Sequence, residues 1–490
     1  MCGGTLTTMT DHRHAERRAQ FLELLGDTIA IIAAGTLQTR NDDVDHGFRQ
    51  DSDFFFLTGF PEPDAVAVFD PTSADPYTLF VQPRDPETES WNGRRAGPDG
   101  AKALFGADAA HTIDELAPWL RRTLTGRTSI GRIPGTLHAD AIDAALATAR
   151  GASERLGSAA PSETLDVRSL LHEMRLVKTD AEIAALREAC RISAVAHVEA
   201  MRFAAPGRTE RQVQAAVEYV FGAMDAERVG YGSIVAGGDN AVILHYVEND
   251  QPLRDGDLLL IDAGAEFRHM TADITRTFPI NGRFSAPQRG IYDAVLLAER
   301  NVIDLCAPGL AYTDMHTRAV RTITEGLVDL GLLPGTVDDA HDKGWYREFF
   351  FHGTGHWLGS DVHDAGAYRT AGAGRPLVPG MAFTVEPGIY VAPEKQTITL
   401  SHASYDPDEA VRMNLELGTA EARRVLAERK ESAGTFTFEV PPEFLGLGVR
   451  IEDDILITAD GHENMTAKVP VDPVRIEEIC GEDSALPLFS

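Results

Sequence analysis

Hydrophobic positions in the first third of the chain alternate between helical and strand-like patterns. Apolar residues recur at helical spacing over 15–25, and the continuous apolar run over 27–35 predicts a buried strand. Two more apolar runs, 54–60 and 65–69, flank a proline-containing turn sequence, and 77–81 predicts another strand. Two helices are predicted after these, over 114–124 and 139–150. This alternation predicts an α/β domain.

The rest of the chain has a different order of elements. A small, polar segment at 151–162 predicts a linker, so we expect one domain over 1–166 and a second over 167–490. Capping-box sequences at 179–182 and 209–212 predict the starts of two helices. Strands are predicted next, over 233–236, 258–263 and 271–280, and then helices over 288–306 and 314–330. This succession predicts an α+β domain with an internal near-repeat.

Composition narrows the possible functions. The chain has 75 acidic and 45 basic residues, and its formal charge of −30 repels nucleic acid and anionic membranes. The cysteines, at positions 2, 190, 306 and 480, are too far apart in sequence to predict a thiolate metal site or a disulfide framework. The first 25 residues contain no apolar run typical of a signal sequence or a membrane span. We therefore expect a soluble, cytoplasmic protein without nucleic-acid or membrane partners.

Candidate chemistry is concentrated at 349–364, which reads F-F-F-H-G-T-G-H-W-L-G-S-D-V-H-D. His352 and His356 are one helical turn apart, but the glycines between them disfavour a helix. A strand or tight loop is expected instead, where glycine lets the backbone approach a metal or substrate. The phenylalanine run predicts a buried strand that delivers the histidines into the interior. A histidine-rich surface loop is the alternative.

Four carboxylates lie in apolar, strand-like sequence, where an unpaired carboxylate would be destabilising. They are Asp262, Asp273, Glu386 and Glu452. The eleven-residue spacing of the two aspartates, with a turn over 264–269, can set them side by side on antiparallel strands. A salt bridge to arginine would explain any one of them, but together they predict an oxygen-rich site for two divalent cations with His356 as nitrogen ligand. Such donors suit Mn²⁺, Co²⁺ or Zn²⁺.

The order of these residues resembles that of a known family. With H-G-T-G-H-W-L-G-S-D-V-H-D and V-R-I-E-D-D, it is similar to the dinuclear-metal peptidases of pita-bread fold. In the first domain, R-Q-D-S-D-F-F-F-L-T-G-F and W-N-G-R-R resemble the amino-terminal domain of aminopeptidase P, the Xaa-Pro aminopeptidases of that family. The resemblance implies a pita-bread catalytic domain after an α/β domain, two metal ions with Mn²⁺ preferred, and a homodimer or homotetramer.

The resemblance also implies roles for the metal-binding residues. Asp262 would bind one metal ion and His356 the other, while Asp273 and Glu452 would bridge both ions. Glu386 would complete the site and accept a proton from the bridging water.

Four further residues would act on the substrate side, by the same resemblance. His245, His352 and His363 would contact the scissile carbonyl, the proline ring or the following residue, and would stabilise the tetrahedral intermediate. Arg450 would orient the carboxylates. A metal-bridging hydroxide would then attack the carbonyl of an N-terminal residue that precedes proline. The expected substrates are peptides with proline in the second position.

Other functions remain open at this level. Prolidase resembles the chain in all five metal ligands but cleaves only dipeptides, and the motifs of the first domain favour aminopeptidase P. A methionine aminopeptidase would lack so large an amino-terminal domain and this histidine spacing. An inactive peptidase fold that serves as a binding protein is a remote alternative, against which the intact ligand set argues.

The chain departs from the family pattern at one place. Between Glu386 and Glu452 lie 65 residues, more than the family usually has there. We therefore expect an insertion at about 391–442 that forms a flap or an oligomer contact near the active-site mouth.

Overall fold

The computed structural model describes residues 12–486, and the chain divides into two compact units, Met1–Arg175 and Leu176–Ser490. The helices of the first unit are α1 (His12–Leu25), α2 (Ser52–Thr58), α3 (Pro86–Asn92), α4 (Gly97–Phe105), α5 (Leu116–Thr123), α6 (Ala139–Leu156) and α7 (Arg168–Leu176). Its strands are β1 (Ile29–Ala33), β2 (Thr39–Asn41), β3 (Val44–Asp45), β4 (Val66–Phe69), β5 (Tyr77–Val81), β6 (Ala109–Thr112), β7 (Ser129–Arg132) and β8 (Glu163–Asp166).

A six-stranded mixed sheet in the order β6-β5-β4-β1-β7-β8 forms the centre of the first unit. Strand β1 is buried along its whole length because helices cover both of its faces. Ala30 and Ile32 belong to one hydrophobic cluster with residues of α1, α2 and α7, whereas Ile29 and Ile31 belong to another with α5 and α6. Strands buried on both faces are typical of α/β domains, so the predicted class is confirmed.

Two segments of this unit differ in detail from their sequence patterns. The apolar run at 54–60 lies largely in helix α2, which Asp51 caps by accepting a hydrogen bond from the Phe54 amide and which Gly59 ends at a φ of 62°. The segment at 151–162, predicted as a linker, begins as the last turns of α6, which end at Gly157 in a left-handed conformation. It then leads into β8, which pairs with β7. The small residues at 151–153 are therefore helical, since alanine and serine do not by themselves end a helix.

The second unit contains more helices and several small sheets. Its helices are α8 (Asp180–Phe203), α9 (Glu210–Ala223), α10 (Ala286–Ile303), α11 (Tyr312–Asp329), α12 (Val337–Asp342), α13 (Pro407–Leu417), α14 (Thr419–Ser432) and α15 (Pro473–Cys480). The strands of its first half are β9 (Arg228–Val229), β10 (Ile234–Gly237), β11 (Leu258–Asp262), β12 (Ala265–Phe267), β13 (Met270–Thr271) and β14 (Thr275–Pro279). Those of its second half are β15 (Arg369–Thr370), β16 (Ala373–Gly374), β17 (Ala382–Val385), β18 (Gly388–Val391), β19 (Thr397–Ser401), β20 (Thr435–Glu439), β21 (Leu447–Arg450), β22 (Asp453–Ile457) and β23 (His462–Asn464).

Two similar halves make up this α+β unit. The sheet β10-β11-β14 follows the helix pair α8 and α9, and the sheet β17-β22-β23 follows the pair α10 and α11. An antiparallel bridge between Thr275 and Glu452 links the strands of the two halves. One large hydrophobic cluster contains residues of all four helices and of both sheets. The predicted succession of elements is confirmed, and the bridge sets the strands of the two halves side by side at Thr275 and Glu452.

The phenylalanine run at 349–351 is not a strand, so that prediction was wrong. Phe349 and Phe350 are buried, but both of their amides donate to the carbonyl of Tyr346 in a tight turn. Three consecutive apolar residues indicate burial without distinguishing a strand from a buried turn. The histidines that follow lie in a loop, as the glycines predict.

The segment at 391–442 has its own elements. Strands β19 and β20 pair over their full length, and α13 and α14 form a helical hairpin between them. Among residues 12–486, no helix is both long enough and apolar enough to cross a membrane.

Candidate active site

The predicted acidic residues of the two halves meet at the ends of strands. Asp262 is the last residue of β11, and Asp273 precedes β14, which pairs with β11 in antiparallel register. Glu452 lies between β21 and β22 opposite Thr275, whose hydroxyl donates to its carboxylate at 2.6 Å. Strand pairing therefore brings together carboxylates that are far apart in sequence.

The histidine-rich loop lies directly against β17. The Thr384 amide donates to the His356 carbonyl at 2.9 Å, and the Glu386 amide donates to the Thr354 carbonyl at 2.8 Å. Position 355 requires glycine, because a Cβ atom there would lie 1.9 Å from the Thr384 carbonyl oxygen. This close approach sets His356 Nε2 at 3.8 Å from Glu386 Oε1.

The His356 ring presents one nitrogen to the carboxylates. Its Nδ1 donates to the Trp357 carbonyl at 3.1 Å, and this hydrogen bond turns Nε2 toward the cluster, at 3.3 Å from Asp273 Oδ2. A backbone acceptor on one ring nitrogen is the usual support of a metal-binding histidine. Ligand atoms of Asp273, His356 and Glu452 lie within 4.8 Å of one another, so these three side chains could share a metal ion.

The carboxylates of the cluster are buried and repel one another. Burial, together with the neighbouring carboxylates, raises the pKa values of Asp273 and Glu452 well above their ordinary values, and burial also raises the pKa of Glu386. The Tyr231 hydroxyl lies 2.5 Å from both Asp262 and Asp273, but its single proton cannot satisfy both. The cluster therefore holds excess negative charge, and its carboxylate and imidazole donors fit divalent cations.

Arg450 supplies a built-in cation beside this cluster. Its buried guanidinium donates to Asp262, to the Thr275 hydroxyl at 3.0 Å and to the Tyr390 hydroxyl at 3.2 Å. Tyr390 in turn hydrogen-bonds His352 Nε2 at 2.9 Å. Arg450 thus fixes the orientation of Asp262 and, through Tyr390, that of His352.

The other predicted histidines line the same space. Burial, followed by the charge of Arg450, lowers the pKa of His352 to about 3, so its ring is neutral near pH 7. Burial also lowers the pKa of His363, whose ring packs edge-on against His356 at a centroid distance of 4.2 Å. His245 reaches the site from an irregular segment before β11.

All the predicted site residues line one cavity of about 520 Å³. They are Asp262, Asp273, His356, Glu386, Glu452, His245, His352, His363 and Arg450. Apolar side chains form part of its wall, among them Leu244, Val247 and Val362. A cavity of this size, with an apolar wall beside a polar, acidic cluster, can hold a short peptide segment. Within the described segment 391–442, no residue contributes to this lining.

Three residues whose hydroxyl groups hydrogen-bond the side chains of the predicted site residues are missing from the sequence-based prediction: Tyr231, Thr275 and Tyr390. Thr275 could have been found, because it lies two positions after Asp273 and alternate residues of a strand share one face. Tyr231 and Tyr390 carry no spacing that distinguishes them from the other tyrosines. Their contacts with the site depend on tertiary structure alone.

A second group of possible ligand atoms lies on the small sheet β13-β12-β9. Glu227, Glu266 and His269 bring these atoms within 4.8 Å of one another. The buried carboxylate of Glu266 is already paired with Arg228, and Arg228 also lies 3.5 Å from Glu227. We therefore assign no metal to this group.

The metal-free protein should lose stability as the pH rises from about 6.5, the unperturbed pKa of histidine, to about 8. Below this range the lowered pKa values of His352 and His363 act in the opposite direction. In the folded state the pKa values of Asp273 and Glu452 are raised, and burial raises that of Asp454 to about 8. A carboxyl group with a raised folded-state pKa stabilises the fold fully below its unfolded pKa, and this stabilisation is lost as the pH rises. We expect a decrease of about 1.4 kcal/mol per pH unit for each additional proton bound by the folded state.

Urea unfolding of chelator-treated protein across this pH range measures the effect. Restoring a divalent metal ion should flatten the dependence, because the cation takes the place of the protons. A midpoint that is independent of pH in the metal-free protein would contradict the prediction.

Matches to known proteins cover both units. Residues 184–459 match the model of metallopeptidase family M24, and residues 14–130 match that of the aminopeptidase P N-terminal domain. Together with the acidic cavity, these matches define the class of this protein as a two-domain metallopeptidase.

Individual relatives are similar to this chain over nearly its whole length. The chain is 39% identical to the Xaa-Pro aminopeptidase of Haemophilus influenzae over 95% of this chain and 96% of the relative. Among solved structures, the aminopeptidase PepP of Pseudomonas aeruginosa is 41% identical with a TM-score of 0.84, covering 96% of this chain and 97% of that one. Zinc-substituted Escherichia coli aminopeptidase P in complex with product is 38% identical with a TM-score of 0.84, covering 96% and 98%. The chain belongs to metallopeptidase family M24 and, within it, to the aminopeptidase P group.

Proposed function

We infer that the protein is a Xaa-Pro aminopeptidase, which removes the N-terminal residue from peptides whose second residue is proline. The observation that carries this conclusion is the convergence of four carboxylates, four histidines and one arginine on a single cavity. Relatives that are similar over nearly the full length carry the name of this activity.

Five residues would hold the metal ions. They are Asp262, Asp273, His356, Glu386 and Glu452. When bound, two divalent ions lower the pKa of water to produce a nucleophile near neutral pH, and they polarise the scissile carbonyl. We propose Mn²⁺ as the preferred ion, because four carboxylates and a single imidazole favour a hard cation. Co²⁺ and Zn²⁺ fit the same donors, and elemental analysis of the purified protein distinguishes them.

Glu386 is suited to accept the proton that the attacking water releases. In the metal-free protein, burial raises the pKa of its carboxyl group, so this group holds a proton more readily than an exposed glutamate does. It lies 3.8 Å from Nδ1 of His352 and 3.8 Å from Nε2 of His356, so both rings restrict its position.

The remaining residues would orient the peptide. His245 and His363 offer ring N–H donors from the cavity wall to the carbonyl oxygens of the substrate. Both ring nitrogens of His352 are engaged, one by the Gly353 carbonyl at 2.7 Å and the other by Tyr390, so its ring presents a fixed, neutral surface for the proline. Arg450 maintains this arrangement through Asp262 and Tyr390.

Peptides of two lengths test the proposed function. We expect a tripeptide with proline in the second position to be hydrolysed at its first bond, and the matching Xaa-Pro dipeptide to be a much poorer substrate. Peptides with alanine in the second position serve as the control. Exclusive cleavage of the dipeptide would identify a prolidase instead, and peptide binding without hydrolysis or bound metal would indicate an inactive peptidase fold.

We also propose that the enzyme acts in the cytoplasm as a homodimer or homotetramer. The widely spaced cysteines support a reducing compartment, and the described thiols Cys190, Cys306 and Cys480 form no disulfide. The segment 391–442 is our candidate for a flap or subunit contact. Its helix α13 exposes the apolar side chains of Val411 and Leu415, which supports a subunit contact. Asp408 of the same helix pairs with Arg369, and the neighbouring Tyr368 lies in the cavity wall, which supports a flap.

A further inference from the structure

Glu210 is a buried carboxylate outside the acidic cluster. It is the first residue of α9, and its side chain accepts four hydrogen bonds. Oε1 accepts from the Gly237 amide and from Asn240 Nδ2, both at 2.8 Å, and Oε2 accepts from the Tyr246 hydroxyl at 2.8 Å and the Gln251 amide at 2.9 Å. Across residues 12–486, no lysine or arginine forms an ion pair with it. Hydrogen-bond donors alone therefore balance this buried charge.

All four donors belong to the segment 237–251, which carries His245. After one turn at Gly238–Val242, this segment contains neither helix nor strand before β11 begins at Leu258. Leu244, His245 and Val247 nevertheless all line the cavity. No strand pairing fixes these three residues themselves. The nearest backbone pairing is the antiparallel bridge between Thr209 and Pro252, where the Glu210 amide donates to the Gln251 carbonyl at 3.0 Å. Between Val242 and Gln251 the segment therefore depends on side-chain anchors.

Glu210 is the anchor nearest to His245. Burial and the hydrogen bond to Glu210 raise the pKa of Tyr246, so its hydroxyl remains a protonated donor. Tyr246 is the residue that directly follows His245. Asn249 provides a second anchor further along, because it accepts from the Val235 amide at 2.9 Å and donates to the Ser233 carbonyl at 2.7 Å.

We propose that Glu210 is a positioning residue that holds the segment 237–251 so that the His245 imidazole faces the substrate. The proposal rests on the aminopeptidase function proposed above. Glu210 itself touches neither the acidic cluster nor the cavity in the part of the chain that the structure describes.

The substitution Glu210→Gln tests this role with little change in volume. In either orientation of the new amide, its NH₂ group faces the backbone N–H of Gly237 or Gln251, and neither of these can become an acceptor. We expect kcat/KM for a proline-second tripeptide to fall about 10- to 100-fold, because the catalytic geometry is displaced. Bound metal should be unchanged, since the proposed ligands lie on other elements.

A double-mutant cycle separates positioning from a general structural effect. In the His245→Ala background, Glu210→Gln should cause little further loss, because the group that it positions is absent. Equal losses in both backgrounds, or loss of bound metal from the Glu210→Gln protein, would overturn the proposal.

Tyr246→Phe removes one donor and keeps the carboxylate, so it should give a smaller loss of kcat/KM that also disappears in the His245→Ala background. It provides the same test if Glu210→Gln does not fold.

Glu199→Gln is the matched control. Glu199 is another buried glutamate of the same unit, and it accepts from the Ser484 hydroxyl at 2.6 Å and the Ala485 amide at 2.8 Å, away from the cavity. Unlike Glu210, it also lies 3.5 Å from an arginine, Arg202. Its substitution should leave kcat/KM within about twofold of the wild type, as for a site without shared partners. A loss as large as that of Glu210→Gln would show that any buried glutamate has this effect.

Hydrogen exchange provides a readout that does not depend on turnover. The amides of 238–251 should exchange faster in the Glu210→Gln protein than in the wild type. Unchanged exchange would overturn the anchoring role. If the amides exchange faster in the Glu210→Gln protein but the wild type does not cleave peptides with proline in the second position, only the proposed function is overturned.

Discussion

Replacing Asp273 with asparagine should reduce kcat/KM by about a thousandfold, because metal ions supply several kcal/mol of transition-state stabilisation and each 1.36 kcal/mol corresponds to a factor of ten. Asp273 lies between the Tyr231 hydroxyl and His356 Nε2, at the centre of the acidic cluster. Asparagine keeps the shape of the side chain but loses the charge and one acceptor oxygen. Bound metal should therefore fall below that of the wild type.

The same substitution should not destabilise the metal-free fold. Burial and neighbouring carboxylates raise the pKa of Asp273, so its charge opposes folding near neutral pH. The metal-free variant should therefore melt at the same temperature as the metal-free wild type or higher. This combination of lost activity and preserved stability separates a metal ligand from a structural residue.

Asp257→Asn is the control for Asp273→Asn. Asp257 lies immediately before β11, its pKa is also raised by burial, and it lies outside the cavity. Its substitution should change neither metal content nor kcat/KM appreciably. A tenfold change in kcat/KM corresponds to only about 1.4 kcal/mol of transition-state stabilisation. If kcat/KM of the Asp273→Asn protein stayed within about tenfold of the wild-type value, the central role of this residue would be contradicted.

The second large effect concerns a buried ion pair behind the histidine loop. Lys178 Nζ donates to Asp364 Oδ2 at 2.8 Å, and each side chain is only 1% exposed. The Asp364 amide also donates to the Trp357 carbonyl at 2.8 Å, so this pair fixes the end of the loop that carries His356 and His363. Lys178→Met should destabilise the catalytic unit by about 3–5 kcal/mol, because it removes the ammonium group that pairs with the buried Asp364 carboxylate.

Urea unfolding measures this loss, and two comparisons interpret it. The double variant Lys178→Met with Asp364→Leu should recover most of the stability, since replacing both partners of a buried pair by apolar groups is often neutral. Arg289→Met breaks the exposed pair with Asp293 and should cost less than about 1 kcal/mol. If Lys178→Met and Arg289→Met lowered the free energy of unfolding equally, burial of the Lys178–Asp364 pair would not increase its contribution to stability.

Much of the secondary structure could be predicted because its causes are local. The capping boxes at Thr179 and Thr209 begin α8 and α9, as expected, since both hydrogen bonds of each box lie within four residues. The phenylalanine run at 349–351 could not be assigned in the same way. Its backbone turns at Tyr346, and its burial comes from packing against distant residues.

The residue types of the candidate site could be predicted from sequence, but the hydrogen bonds that connect them could not. Carboxylates in apolar strands are improbable without a cation, and this is why Asp262, Asp273, Glu386 and Glu452 could be selected from sequence. Nothing local indicates that Tyr231 lies between two of them, or that Glu210 anchors the segment carrying His245.

The sequence by itself determined the class of fold, the family and the residue types that converge on the cavity. Hydrophobic periodicity, helix capping and carboxylates within apolar segments are all properties of residues close together in the chain. Only the tertiary structure decided which atoms meet. The hydrogen bonds from Arg450 to Asp262 and from Thr275 to Glu452 join residues that are 188 and 177 positions apart. Their geometry depends on how the two halves of the catalytic unit pack, and chain order does not specify that packing.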